Sequence, residues 1–278
     1  MPSSRSASPI SPNSEIAEIA QPPGEPRLGP PALALARKIV LAPLLVAQAL
    51  GVRRRAPVLP EAAGEREGRA GLGDGPPLRL LVAGDSSAAG VGVARQEQAV
   101  IGHLVRTLQA QRPGPIEWRL HACTGLDTRE VLELLRSAPP PAADVAVVIT
   151  GVNDVIGQVP VRRALAHRAA LADWLLDAGL ARHVVFAPLP PMHQFPLLPE
   201  PLRRILGADA RRHDDALGRW AASRDDVSVA RVAIALTAET MASDGFHPGE
   251  PVYRACGEAL GTHVARRLAA DAAADRRR

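Results

Sequence analysis

The sequence predicts an α/β protein built on a mainly parallel sheet of about five strands with helices on both faces. Three observations predict it. From residue 78 onward, short apolar or β-branched runs alternate with segments of helical periodicity, the order that generates right-handed βαβ crossovers. Leu78–Ala83 and Val145–Ile149 are nearly free of polar residues, as strands covered on both faces are, while Ile116–Ala122 alternates. Hydrophobic residues make up 46% of the 278 residues, enough for a sizeable core, and with aromatics at only 3% that core must be built from Ala, Val and Leu.

The elements follow in order. Leu78–Ala83 is apolar except for Arg79 and reads as a buried strand ending at Gly84. Val100, Ile101, Leu104, Val105 and Leu108 recur at helical spacing. Ile116–Ala122 reads as a second strand. Asp127 and Glu130 then stand like a capping box ahead of a stripe of Val131, Leu132 and Leu135. Val145–Ile149, β-branched apart from Ala146, suits a central strand. Leu165 to Leu176 reads as a helix closed by Gly179, His183–Ala187 as a fourth strand and Val227–Ala230 as a short fifth. Pro251 suits the first turn of a last helix with the stripe Tyr253, Cys256, Leu260, Val264 and Leu268.

The first 77 residues follow different rules. Residues 1–31, rich in Ser, Pro and Glu, read as a disordered tail. The span 32–60 reads as an apolar and basic segment with a candidate helix, 61–77 as a glycine-rich linker, 78–270 as the folded domain, and 271–278 as a charged tail. The apolar stretch Ile39 to Val52 is shorter than the roughly 20 residues that span a bilayer, and Pro43 interrupts it. Arg37-Lys38 and Arg53-Arg54-Arg55 flank it. Three readings stay open: a helix docked on the domain, peripheral membrane contact through 37–55, or part of a signal segment behind a mis-set start. The expected location is cytoplasmic, with membrane association and secretion both left open.

Charge excludes one class of partner. Residues 78–270 carry 21 basic and 20 acidic side chains, so no basic surplus points to nucleic acid. The two cysteines, Cys123 and Cys256, allow one disulfide and do not form a framework. No Cys/His spacing resembles a zinc site.

In parallel sheets, ligands bind beyond the carboxyl ends of the strands, so the residues just after each strand are the first suspects. The first strand runs into Gly84-Asp85-Ser86-Ser87, the second into Cys123-Thr124-Gly125, and the third into Gly151-Val152-Asn153-Asp154. Before the last helix comes Asp244-Gly245-Phe246-His247-Pro248. Acyl transfer needs a hydroxyl activated by a base, a carboxylate to orient the base, and preset donors for an oxyanion. Ser86 is the candidate nucleophile, His247 the base, and Asp244, three residues earlier, the orienting acid. The backbone N–H groups of Ser86 and Gly125 and the Asn153 amide are the candidate oxyanion donors. This cycle requires no cofactor and no metal.

The four blocks, taken together and in this order, resemble those of the SGNH hydrolases, or GDSL-type esterases, over about 78–270. The resemblance implies a three-layer α/β/α sandwich with a flavodoxin-like sheet, catalysis by Ser86, His247 and Asp244, and an oxyanion hole from Ser86, Gly125 and Asn153. It implies hydrolysis of carboxylic esters through an acyl-enzyme on Ser86, of esterase, lysophospholipase or thioesterase type, on a small-molecule or lipid ester. Two alternatives are a carbohydrate O-deacetylase or O-acetyltransferase on the same triad, and a non-catalytic membrane-surface or partner-binding module. The resemblance says nothing about residues 1–77.

The remaining chemistry-bearing residues have plainer readings. Asp85 and Asp154 brace their turns, and Ser87 is a decoy beside Ser86. His103, His167 and His263 fall in helices and His121 and His183 in strands. Cys123 packs near the oxyanion site, Cys256 joins the apolar stripe, and Trp118, Trp174 and Trp220 are core anchors. In the loop after the fourth strand, Met192, His193 and Phe195 are candidates to line the substrate pocket.

Overall fold

The computed structural model describes residues 31–277. The disordered tail expected over 1–31 lies outside them, except for Pro31, which opens the first helix. Six strands form one sheet: β1 (Glu67–Ala70), β2 (Leu78–Gly84), β3 (Ile116–Ala122), β4 (Val145–Ile149), β5 (His183–Phe186) and β6 (Val227–Val229). Their spatial order is β1-β3-β2-β4-β5-β6. All neighbours are parallel except β1 with β3. Setting β1 aside, the five parallel strands follow the 2-1-3-4-5 order of flavodoxin-like sheets.

Alternation along the strands creates two cores. Leu81, Ala83, Ala146, Val148, Val184 and Phe186 face one side, together with α4 (Thr128–Ser137), α6 (Val161–Asp177) and α7 (Leu202–Ala221). Leu80, Val82, Val145, Val147 and Val185 face the other, with α3 (Val100–Gln111) and α8 (Glu250–Asp275). This is the expected three-layer sandwich, because a strand with no polar face has to be covered twice. The capping box is present: Glu130 N–H donates to Asp127, and the Asp127 N–H donates to Glu130, each at 2.9 Å.

The structure corrects the chain map in three places. The span 61–77, expected to be a linker, supplies β1, which makes six strands rather than about five. Its sequence, Glu-Gly-Arg-Ala, has no apolar alternation because it is a charged antiparallel edge, a form that discourages further strand pairing. Arg69 pairs with Glu117 and Arg119 with Glu67 across the ladder. The expected charged tail at 271–278 is mostly the end of α8, which continues to Asp275. The 20-residue α7 went unmarked in the sequence because Arg and Asp dilute its apolar stripe.

The first helix, α1 (Pro31–Arg55), runs straight through Pro43 and beyond both ends of the apolar stretch. Cys123 and Cys256 are both free thiols.

Candidate active site

The first strand end is shaped by crowding. Asp85 N–H donates to the Ile149 carbonyl at 3.1 Å, and Cys123 N–H donates to the Gly84 carbonyl at 3.2 Å. Those bonds draw the ends of β2, β3 and β4 together. A Cβ on Gly84 would lie 2.0 Å from the Ile149 oxygen, so only glycine fits there. Ser86 follows as the first residue of the short helix α2 (Ser86–Ala89). First-turn N–H groups have no acceptor within a helix, so the Ser86 N–H is available to a ligand. Asp85 caps α2 through its carboxylate, which accepts from Ser87 N–H at 2.9 Å. Burial pushes the Asp85 pKa up to about 7, against the pull of that bond and of nearby His247. The expected structural role of Asp85 is therefore an N-cap beside the site.

On the β3–α4 loop, Gly125 has a φ of 87° and nothing within 4 Å of the position a Cβ would take. Its backbone is open to an incoming group. Asn153 stands on α5 (Val152–Ile156), just past β4, and its amide donates to the Leu126 carbonyl at 2.9 Å. That bond ties the Gly125 loop to the β4 end and leaves the amide a second N–H.

Below this loop lies a buried polar cluster absent from the sequence reading. The Thr128 hydroxyl donates to the Asp154 carboxylate, and Arg168 sits 3.9 Å from the same oxygen. Asp154 and Arg168 are almost completely buried. Thr150 joins through a 3.2 Å hydroxyl contact with Thr128. The expected bracing role of Asp154 is thus met by Thr128 and by Arg168, the eighth residue of α6. Gly151 makes room for Arg168, since a Cβ there would lie 2.2 Å from the guanidinium.

The Asp244–His247 turn closes on itself. The His247 Nδ1 is 2.6 Å from Asp244 Oδ2, and Asp244 Oδ1 accepts from the N–H groups of Phe246 and His247, each at 2.9 Å. Burial alone would raise the Asp244 pKa, but the imidazole and the two N–H donors outweigh it and hold the carboxyl below its usual range. An ionised carboxylate on Nδ1 fixes the ring's proton there and turns Nε2 into the free base.

Two contacts bring this turn to the strand end that carries Ser86. The Tyr253 hydroxyl donates to the Val91 carbonyl at 2.6 Å, and Val91 N–H donates to the Ser86 carbonyl at 3.0 Å. A Cβ on Gly92 would lie 2.4 Å from the Pro248 oxygen, so the segment after α2 rests directly on the residue following His247. Tyr253, the only tyrosine in the chain, is buried and close enough to both Asp85 and Asp244 for their charges to raise its pKa further. Its place in the apolar stripe was legible in the sequence, whereas its hydroxyl's bond was not.

The loop after β5 corrects part of the pocket expectation. Met192 is completely buried and Phe195 nearly so, both within the core. Phe195 meets Phe246 edge-on at 5.2 Å, which supports the residue next to His247 from beneath. Neither side chain presents surface to a substrate in this arrangement. His193 is half-buried and lies over Gly207 of α7.

A model of the GDSL-like lipase/acylhydrolase family matches residues 82–255. Among solved structures, Est24, a carbohydrate acetylesterase from Sinorhizobium meliloti, aligns at 17% identity with a TM-score of 0.51, covering 68% of this chain and 98% of that one. The lipase/acylhydrolase from Enterococcus faecalis aligns at 17% identity and a TM-score of 0.50, covering 68% and 96%. The psychrotrophic esterase EstA from Pseudoalteromonas sp. aligns at 17% identity and a TM-score of 0.49, covering 69% and 98%. No curated protein matches the sequence. At these identities the likeness to Est24 and to the Enterococcus faecalis protein establishes the fold alone, and the match of the family model establishes kinship.

Proposed function

Because the chain belongs to the GDSL-like lipase/acylhydrolase family, and so to a class of ester-cleaving enzymes, we propose that it hydrolyses carboxylic esters through an acyl-enzyme on Ser86. His247 takes the Ser86 proton at Nε2 as the hydroxyl oxygen attacks the ester carbonyl. The negative charge that forms on the carbonyl oxygen meets the N–H groups of Ser86 and Gly125 and the Asn153 amide. The tetrahedral centre collapses, His247 returns the proton to the departing alkoxide, and the alcohol leaves. Water, deprotonated by His247, then attacks the acyl-Ser86 carbonyl, and a second collapse frees the acid and restores the hydroxyl.

The observation that carries this reading is the 2.6 Å His247–Asp244 contact, on a turn seated against the segment that follows Ser86. Nothing in plain turn formation calls for a buried carboxylate aimed at an imidazole. The test is hydrolysis of short p-nitrophenyl esters by the parent and by Ser86→Ala, with fluorophosphonate labelling of both. The expected result is labelling and turnover in the parent alone. Equal turnover by Ser86→Ala would sink the assignment.

A further inference from the structure

We propose that the outward face of α1 is a docking surface for an anionic lipid bilayer, on which the helix lies in the plane of the headgroups.

The polarity of this helix is inverted. One stripe rests on the protein, and between the flanking arginines it is the stripe that carries the polar residues, Lys38 and Gln48. Lys38 donates to the Gln158 side chain at 2.8 Å and pairs with Asp209 of α7. Gln48 donates to the Glu200 carbonyl at 2.6 Å and accepts from Leu202 N–H at 3.2 Å. Leu45 and Val52 of the same stripe pack against the core. The rest of the circumference faces away from the protein. Leu35, Ile39, Val46 and Leu50 form a row at helical spacing, with Val40 and Leu44 beside it, and all six are exposed, Val40 by 78%. Between Ile39 and Leu50, Gln48 is the one polar side chain, and it is turned inward.

A surface helix in water puts its polar groups outward, so this arrangement needs an apolar medium on its free side. The outward face lies between two exposed basic groups, Arg37 at one end and Arg53, Arg54 and Arg55 at the other. Apolar side chains flanked by cations match the acyl boundary and anionic headgroups of a bilayer. The helix is long and apolar enough to cross a membrane. Crossing would strip Lys38 and Gln48 from Asp209, Gln158 and Glu200 and carry them into hydrocarbon. Lying flat keeps those bonds.

The attachment points also border the site. Gln158 follows α5, which carries Asn153, and Leu197, three residues before Glu200, donates its N–H to the Gly245 carbonyl at 3.0 Å. If the ester-hydrolase reading holds, the docked enzyme takes amphiphilic esters from the bilayer.

The test is flotation of the full chain with vesicles of phosphatidylcholine alone or with phosphatidylglycerol, beside hydrolysis of a water-soluble ester. A triple variant, Ile39→Gln with Val46→Gln and Leu50→Gln, changes only outward-facing residues. The parent is expected to float with the anionic vesicles, less so at high salt, and to leave them on alkaline carbonate washing. The variant's partition should fall at least about tenfold, with soluble-ester hydrolysis unchanged. Four results would each overturn the proposal: a parent that does not float, a variant that floats equally well, resistance to carbonate that marks a spanning helix, or a parent dimer that the variant dissolves while neither form binds vesicles. Flotation without any ester hydrolysis would instead count against the catalytic reading and leave the docking surface standing.

Discussion

His247 and Asp244 form a closed unit: the imidazole lies 2.6 Å from one carboxylate oxygen while the other accepts two backbone N–H groups from the same four-residue turn. These three contacts engage both oxygens and hold the acid in one orientation. The first prediction tests that constraint. Asp244→Asn keeps the size of the side chain but can present an N–H to Nδ1, which selects the wrong tautomer. Turnover should fall by about 10²–10⁴, with KM little changed. Steady-state kinetics on a soluble ester decide it, and a loss under threefold would mean the carboxylate is only a turn former.

The Asn153 amide bridges to Leu126, and in the proposed mechanism its second N–H meets the oxyanion. Asn153→Ala should lower turnover by about 10²–10³, the usual cost of one oxyanion donor. Circular dichroism should show an intact fold, since α5 keeps its backbone bonds. A variant with parental turnover would remove Asn153 from the oxyanion hole.

Two glycines at neighbouring strand ends should respond differently to the same change. Gly84→Ala sets a Cβ against the Ile149 carbonyl, a rigid neighbour that cannot step aside. A loss of about 1–3 kcal/mol or more is expected, seen as a drop in Tm of roughly 2–4 °C per kcal/mol. Gly125→Ala meets no atom and strains only the backbone at its φ of 87°. It should cost about 1 kcal/mol and act mainly on turnover, by moving the N–H donor. Thermal scans with paired kinetics would separate the two, and equal destabilisation would contradict the geometry.

Two buried groups give stability opposite slopes with pH. Burial of His213 lowers its pKa to about 4, so folded His213 stays neutral while the unfolded imidazole takes up a proton below about 6.5. Its contribution is fully present above that pH and is lost as pH falls from about 6.5 toward 4. Asp85, raised to about 7 by burial, works the other way. The folded carboxyl keeps its proton while the unfolded one releases it, so stability is lost as pH rises from about 3.8 to 7. His213→Gln should therefore flatten the acid side of the Tm curve. Asp85→Asn, which can still cap α2, should gain on the parent as pH rises through the same range. Difference scans that run parallel to the parent would refute both assignments.

The sheet was legible because its strands are buried on both faces. Val145–Ile149 and Leu78–Ala83 carry almost no polar residue, and their shortness and their content of β-branched and aliphatic residues suit a strand covered on both faces. The edge strand Glu67–Ala70 left no such trace, since an exposed edge is selected for charge and its partner residues lie some fifty positions away. The same limit hid the Arg168–Asp154 pair, because an arginine in the middle of an amphipathic helix reads as a surface residue until the sheet loop above it is in place. Met192 and Phe195 show the converse error. Their position after a strand suggested a pocket wall, while their apolar character, the stronger signal, belonged to the core.

The sequence by itself determined the architecture and the candidate reactive groups: a parallel sandwich, a serine, an asparagine and a glycine just past successive strands, and an Asp-x-x-His turn before the last helix. Each of these is a local matter of residue type, spacing and burial on both faces. Tertiary structure alone decided which groups hold those residues in place, among them Tyr253 on Val91, Asn153 on Leu126 and Arg168 beneath Gly151. It alone decided, too, that α1 turns its polar stripe inward. Periodicity along a chain says that a helix has two faces; which of them meets the protein depends on partners far away in the sequence, here Gln158, Glu200 and Asp209.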